Sequence, residues 1–174
     1  MGIKAEFYGY DDPDDFSDAI DVLVTNLGGI NCIAETLQNL EGAAKEFSYK
    51  VNNSCKPKVA IGLKTELEDI DKLITVIDKF ENYNKKTCKN ANYNEDDDAD
   101  TPPSKDCSKD LKALMNGKYW KTYTKTKSDM QTSLEKSQKN KDVCQRMALV
   151  NFNFQINNFE IVLDQCVQVI QSSE

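Results

Sequence analysis

Histidine is absent from all 174 residues, which removes the Ser-His-Asp and Cys-His arrangements of nucleophilic catalysis. The Cys/His ligand sets of zinc fingers are excluded with them. The six cysteines contain no C-x-x-C pair, so the thioredoxin-type redox motif is missing as well. Glycine is scarce, at seven residues, and no glycine-rich phosphate loop occurs. No apolar run approaches the ~20 residues that a membrane-crossing helix requires. Positive charge is in deficit: 22 Lys and Arg stand against 29 Asp and Glu, a net charge of -7 that opposes general binding to nucleic acid. Met1-Gly2-Ile3-Lys4 lacks the apolar core of a signal peptide, and Glu6 stands where a myristoylation signal needs Ser or Thr. A secretory signal is therefore expected to have been removed.

What the chain does contain is an even, widely spaced set of cysteines at 32, 55, 88, 107, 144 and 166. Without metal spacing, such a set predicts three disulfides in an oxidising compartment, hence a secreted, extracellular protein. The polar, acidic stretch between Cys88 and Cys107 divides the chain into halves with three cysteines each. Residues 1–15 mix aromatics and acids without a period and read as an acidic arm. Residues 16–174 read as one helical domain whose acidic connection is 89–106.

Helical periodicity runs through that domain. Asp12-Pro13 reads as a helix start, an oxygen cap followed by a proline where no amide hydrogen is needed, and Gly28-Gly29 reads as the end of this short helix. Ile30, Ile33, Leu37, Leu40, Ala44, Phe47 and Val51 then step by three and four. Leu63, Leu67, Ile70, Ile74 and Ile77 form the next stripe, widened by Leu73, Val76 and Phe80. Leu111, Met115, Tyr119, Tyr123, Met130 and Leu134 repeat across an interruption at Asn116-Gly117. Leu149, Phe152, Ile156, Phe159, Leu163, Cys166 and Ile170 close the series, although residues 150–156 also alternate with period two as a strand would. The predicted fold is all-α: a disulfide-stapled antiparallel bundle of four long helices plus a short N-terminal helix. Six cysteines allow 15 pairings, and the ends of such a bundle favour Cys55 with Cys144, Cys88 with Cys107, and Cys32 with Cys166.

No catalytic residue, metal site or cofactor is expected. The acids sit on wet helix faces or in exposed runs, where nothing should raise a pKa. Counted from Asp96, the acidic connection has Thr101 and Cys107 where a helix-loop-helix calcium site needs Gly and Glu, so it reads as a solvated loop. Two stretches remain as candidate binding surfaces. In the arm, Phe7, Tyr8, Tyr10, Asp11 and Asp12 place tyrosines beside acids, a sulfation-prone pattern suited to a basic groove; the plainer alternative is a terminus whose acids cap the first helix. Between Lys105 and Arg146 there are eleven basic and five acidic residues, and Lys118, Trp120, Lys121, Lys125 and Lys127 interleave with tyrosines. That pattern suits an anionic partner, unless Tyr119 and Tyr123 are core and the lysines an ordinary wet face. An exposed Trp120 would favour the binding reading. Asn52 heads an N-x-S sequon. Phe47, Phe80, Phe152, Phe154 and Phe159 would line the pocket of a carrier, or simply pack.

Six cysteines on a helical chain are the mark of insect odorant-binding proteins, but the gaps Cys55–Cys88 and Cys144–Cys166 do not have that family's spacing. In its Lys/Asn/Asp-rich, histidine-free composition and acidic arm, the chain resembles the helical disulfide-bonded proteins that blood-feeding insects and other arthropods secrete in saliva. The resemblance implies a secreted non-enzymatic binding protein that engages an extracellular protein or matrix component, as an inhibitor of host haemostasis, complement or immunity. The alternative is an extracellular carrier of small hydrophobic ligands. Either would act as a monomer without a membrane span.

Overall fold

A computed structural model describes residues 9–55, 61–88, 102–137 and 142–172. Every regular element among them is helical. Asp12 caps α1 (Pro13–Leu23), its carboxylate accepting the Asp14 N–H at 2.8 Å, as the Asp-Pro start predicts. Only three residues separate the end of α1 from the start of α2 (Leu27–Tyr49). The glycine pair therefore lies in the first turn of α2, and does not terminate α1 as the sequence suggested. The cap is Asn26, whose side-chain oxygen accepts the Gly29 N–H at 2.7 Å. Gly29 is required for space: a Cβ there would sit 2.1 Å from the backbone oxygen of Leu23.

Helix α2 passes into a π-helical turn, Lys50–Ser54, that carries Val51 into the core and the exposed Asn52 to the surface. A short 3-10 turn, Ile61–Leu63, leads into α3 (Lys64–Lys86). Pro57, which after Cys55 reads in the sequence as the opening of this helix, lies outside the described residues. Ser104 caps α4 (Lys105–Leu114) through the Cys107 N–H at 3.1 Å. A second π turn, Met115–Tyr119, holds Asn116-Gly117 and continues directly into α5 (Trp120–Ser137). The interruption foreseen there is thus a widened turn in a continuous helical run. Helix α6 (Val143–Ser172) follows, and settles the period-two ambiguity of 150–156 in favour of helix.

The apolar stripes become one core. All seven positions of the α2 stripe are buried, as are Leu149, Phe152, Ile156, Phe159, Leu163 and Cys166 on α6. On α3 the buried side is rotated from the expected stripe: Leu73, Val76 and Phe80 are fully buried, whereas Leu67 and Ile74 are only partly so. Helix α2 packs on α3 and α6, and α5 packs on the same two. Helix α1 lies against α6 and α2, and Ser108 of α4 donates to the Val24 carbonyl at 2.8 Å.

The three disulfides are Cys32–Cys166, Cys55–Cys144 and Cys88–Cys107, the set favoured by the spacing of the helices. The first two join the start of α2 to the end of α6 and the end of α2 to the start of α6. The two helices therefore run antiparallel with both ends bonded.

The glycines supply a paired test. Gly29→Ala should destabilise the protein by about 3 kcal/mol, because its methyl meets fixed backbone. Gly42→Ala, on the exposed side of α2 with nothing within 4 Å, should stabilise it by up to ~1 kcal/mol. Urea unfolding followed by circular dichroism reads both, and equal effects would refute this account of the α1–α2 corner.

Candidate binding surface

The first candidate surface is organised by a buried acid. Glu160 of α6 is 3% exposed, and its carboxylate is fully engaged. Oε1 accepts the Tyr10 backbone N–H at 2.6 Å, and Oε2 accepts the Tyr123 hydroxyl and lies 2.8 Å from the Lys127 ammonium. Lys127 also reaches the Asp11 carboxylate at 2.9 Å. Gly9, at φ 100°, lets the chain approach, since a Cβ there would meet Glu160 Oε1 at 2.8 Å. Burial works against the Lys127 charge, but its hydrogen bonds to Glu160 and Asp11 outweigh that and raise its pKa. Tyr123 is held well above the usual phenol range by burial first and by the Glu160 charge second.

Three of the five arm residues are therefore placed, and they are built into the fold. Tyr10 is buried edge-on against Phe16, with ring centroids 5.9 Å apart; Asp11 pairs with Lys127; Asp12 caps α1. Phe7 and Tyr8 lie outside the described residues. Over this polar centre runs an open groove of about 440 Å³ lined by Gly9, Asp11, Lys127, Gln131, Asn157, Glu160 and Ile161. With Glu160 and Lys127 saturated by each other and by Tyr10, Tyr123 and Asp11, the groove offers amides and one exposed acid. That set is suited to contact and not to proton transfer.

The lysine-aromatic stretch on α5 divides in the same way. Tyr119 and Tyr123 are buried, in line with their helical spacing. Trp120 is half-buried and lies 4.6 Å from the Phe16 ring, so it is not the exposed anchor that the binding reading called for. Lys125 bridges Asp69 at 3.1 Å and Asp129 at 2.7 Å, which push it up to about 12, Asp129 contributing most. Lys118 and Lys121 are exposed and, among the described residues, unpaired with any carboxylate. The Asp69 pKa is pushed up to about 6, by burial first and the neighbouring Asp129 second, against the opposing pull of Lys125. The expectation that no acid here is shifted is corrected at this residue. It assumed that every acid faced water, and Asp69 is 2% exposed.

A second surface went unrecognised in the sequence. Val143, Met147, Val150, Phe154 and Ile161 are all exposed on α6, Phe154 at 64% and Met147 at 59%. At ~100° per residue they fall within about 60° of one another, on the side opposite Phe152 and the core. Helix α6 is apolar on two faces, and the period-two run Val150 to Ile156 was the visible sign, alternating outward Val150 and Phe154 with inward Phe152 and Ile156.

Other features carry less. The Glu41, Asp78 and Glu81 carboxylates lie within 4.8 Å of one another, and Lys45, 3.1 Å from Glu41, supplies a positive charge there. A cavity between α2 and α6, lined among others by Thr36, Leu40 and Phe159, holds about 10 Å³, room for one water. Of the five phenylalanines considered as a pocket lining, Phe47, Phe80, Phe152 and Phe159 are core and Phe154 faces outward. No protein-family model, curated protein or solved structure matches the chain.

Two substitutions probe the buried acids. Glu160→Ala strands the Tyr10 N–H and leaves Lys127 with Asp11 alone, and should cost about 3 kcal/mol and expose the segment before α1 to limited proteolysis. Intact resistance at residues 9–12 would contradict the anchoring role. For Asp69 the folded pKa lies above the unfolded one, so its contribution to stability is complete below about pH 4 and is lost as the pH rises through about 6. Asp69→Asn should therefore flatten the stability profile between about pH 4 and 6. An unchanged slope in denaturant titrations across that window would show that the carboxyl is not shifted.

Proposed function

We propose that the chain is a secreted, non-enzymatic binding protein that engages an extracellular protein or matrix component through exposed lysines on α5 and the turn before it. The observation that carries this reading is the pair Lys118 and Lys121: two solvent-facing ammonium groups without a carboxylate partner among the described residues, on a chain of net charge -7. Uncompensated positive charge on an otherwise acidic protein attracts anionic partners, and Lys118 and Lys121 lie within one turn of each other. Lys105, Lys109 and Lys112 extend the basic character along α4, although Lys112 is partnered by Asp21.

Three disulfides support the extracellular part of the reading, because such bonds persist in oxidising compartments. The architecture in which this surface is presented is an antiparallel bundle of four long helices, the third assembled from α4 and α5, with α1 as the short N-terminal helix. In a salivary protein of a blood-feeding arthropod, the partner would belong to host clotting, complement or immune signalling. Trp120 serves this surface by stacking on Phe16 and so fixing the backbone between the two lysines.

Capture from plasma and from a heparin column tests the reading. Wild-type protein should retain a component whose binding weakens as salt rises from about 50 to 300 mM. Lys118→Glu with Lys121→Glu should reduce that binding at least about tenfold while leaving the helical signal unchanged. Retention of nothing, or equal retention by the double variant, would defeat it.

A further inference from the structure

We propose that the outer face of α6 is a self-association surface, on which a second copy of this chain packs its own α6 antiparallel about a two-fold axis level with residue 152. This face lies on a different helix from Lys118 and Lys121, so the proposal does not rest on the lysine surface. It replaces the monomer expected from the sequence.

The first argument is charge. Two chains of net charge -7 repel wherever charged surface meets charged surface. Between Val143 and Ile161 only Arg146 and Glu160 are charged, and Glu160 is buried against Lys127. The flanks of the stripe are neutral amides, Asn151, Asn153, Asn157 and Asn158. In a chain with 29% charged residues, the middle of this face brings little charge to a second copy; at its ends Val143 follows Asp142, Met147 lies beside Lys50, and Ile161 borders the exposed Asp11 and the paired Lys127. Depletion of charge, together with exposed Phe and Met, is also the composition of interface cores.

The second argument is register. Val143, Met147, Val150, Phe154 and Ile161 step by four, three, four and seven, the heptad spacing with which one helix seats another. Four of its five members pair off about residue 152, and the fifth, Met147, has an amide as its mate. In an antiparallel pair, Val143 faces Ile161 of the second copy, Val150 faces Phe154, and Met147 faces Asn157. Two apolar pairs and one Met–Asn contact then form, and the same contacts recur on the other side of the axis, as an isologous interface demands. The stripe spans about 27 Å of helix. Its ends border two recesses: about 370 Å³ beside Cys144, Met147, Ala148 and Asn151, and the groove of about 440 Å³ beside Asn157 and Ile161.

Sedimentation velocity of the full chain at roughly 100 µM reads the outcome, since a helix pair of this size is expected to dissociate in the micromolar range. The wild type should sediment as a dimer. Phe154→Lys and Val150→Asp should each be monomeric, with the circular dichroism of the parent because both positions are exposed. Phe154→Gln, a neutral variant, should weaken the dimer at least about tenfold. An equimolar mixture of Phe154→Lys and Val150→Asp should re-form a dimer, because the antiparallel register places the introduced lysine opposite the introduced aspartate. A monomeric wild type would overturn the proposal, as would a dimer indifferent to Phe154→Lys or a mixture that stays monomeric. Capture of a different extracellular protein by a monomeric chain, abolished by Phe154→Lys, would also overturn it by assigning the face to another partner.

Discussion

The bonds Cys32–Cys166 and Cys55–Cys144 hold α2 and α6 together at both ends, across 134 and 89 residues of chain. Cross-links over loops of that length remove several kcal/mol of unfolded-state entropy. Their more specific effect here is rotational. Helix α6 is apolar on two opposite faces, so hydrophobic burial alone does not decide which face turns inward. Cys166 lies on the Phe152 side of the helix and Cys144 between the two faces, and their bonds to α2 hold the Phe152 side inward. The outer stripe is thereby left in water although its residues are as apolar as many inside. Bonded at both ends, α6 keeps that uncovered face turned outward.

Glu160 reinforces the same choice by polar means. A buried carboxylate is tolerated only when its charge and lone pairs are met, and here a backbone amide, a phenol and an ammonium meet them. Because the amide is that of Tyr10 and the ammonium also holds Asp11, solvating one acid orders the segment ahead of α1. Tyr10 can then bury its ring beside Phe16, and Phe16 in turn supports Trp120. Local order thus passes from a side chain on α6, through the arm, to the backbone that carries Lys118 and Lys121. The acids of the arm act within the fold more than on its surroundings.

Much of this architecture was legible in the residues. The stripe Ile30 to Val51 is unbroken at helical spacing, and every member is buried; once the helices were ordered, bundle ends selected one disulfide set from fifteen. Failures had physical reasons. Gly28-Gly29 looked like a helix end because glycine is usually read through its backbone freedom, whereas Gly29 is there because Leu23 passes too close for a Cβ. Tyr10 looked free because a single aromatic in an acidic run has no period to betray burial. Glu160 was invisible as an anchor because nothing local distinguishes it from other acids; its value appears only when Lys127, remote in sequence, is brought to 2.8 Å. The outer stripe of α6 is present in the letters, where its period of two is equally that of a strand.

The two proposed surfaces reinforce each other if both hold. In the proposed pair, the net charge of -7 disfavours contact between copies away from the neutral part of α6, and a two-fold axis would close the association at two chains. A two-fold pair then displays the Lys118–Lys121 surface twice. Individually weak, salt-sensitive contacts to an anionic protein or matrix chain gain from that duplication wherever the partner repeats its charge, because the second contact forms at the effective concentration set by the first. On this view the uncharged face of α6 and the uncompensated lysines near the start of α5 belong to one strategy: an acidic protein excludes most encounters, and leaves one face open to its own kind and one to its target.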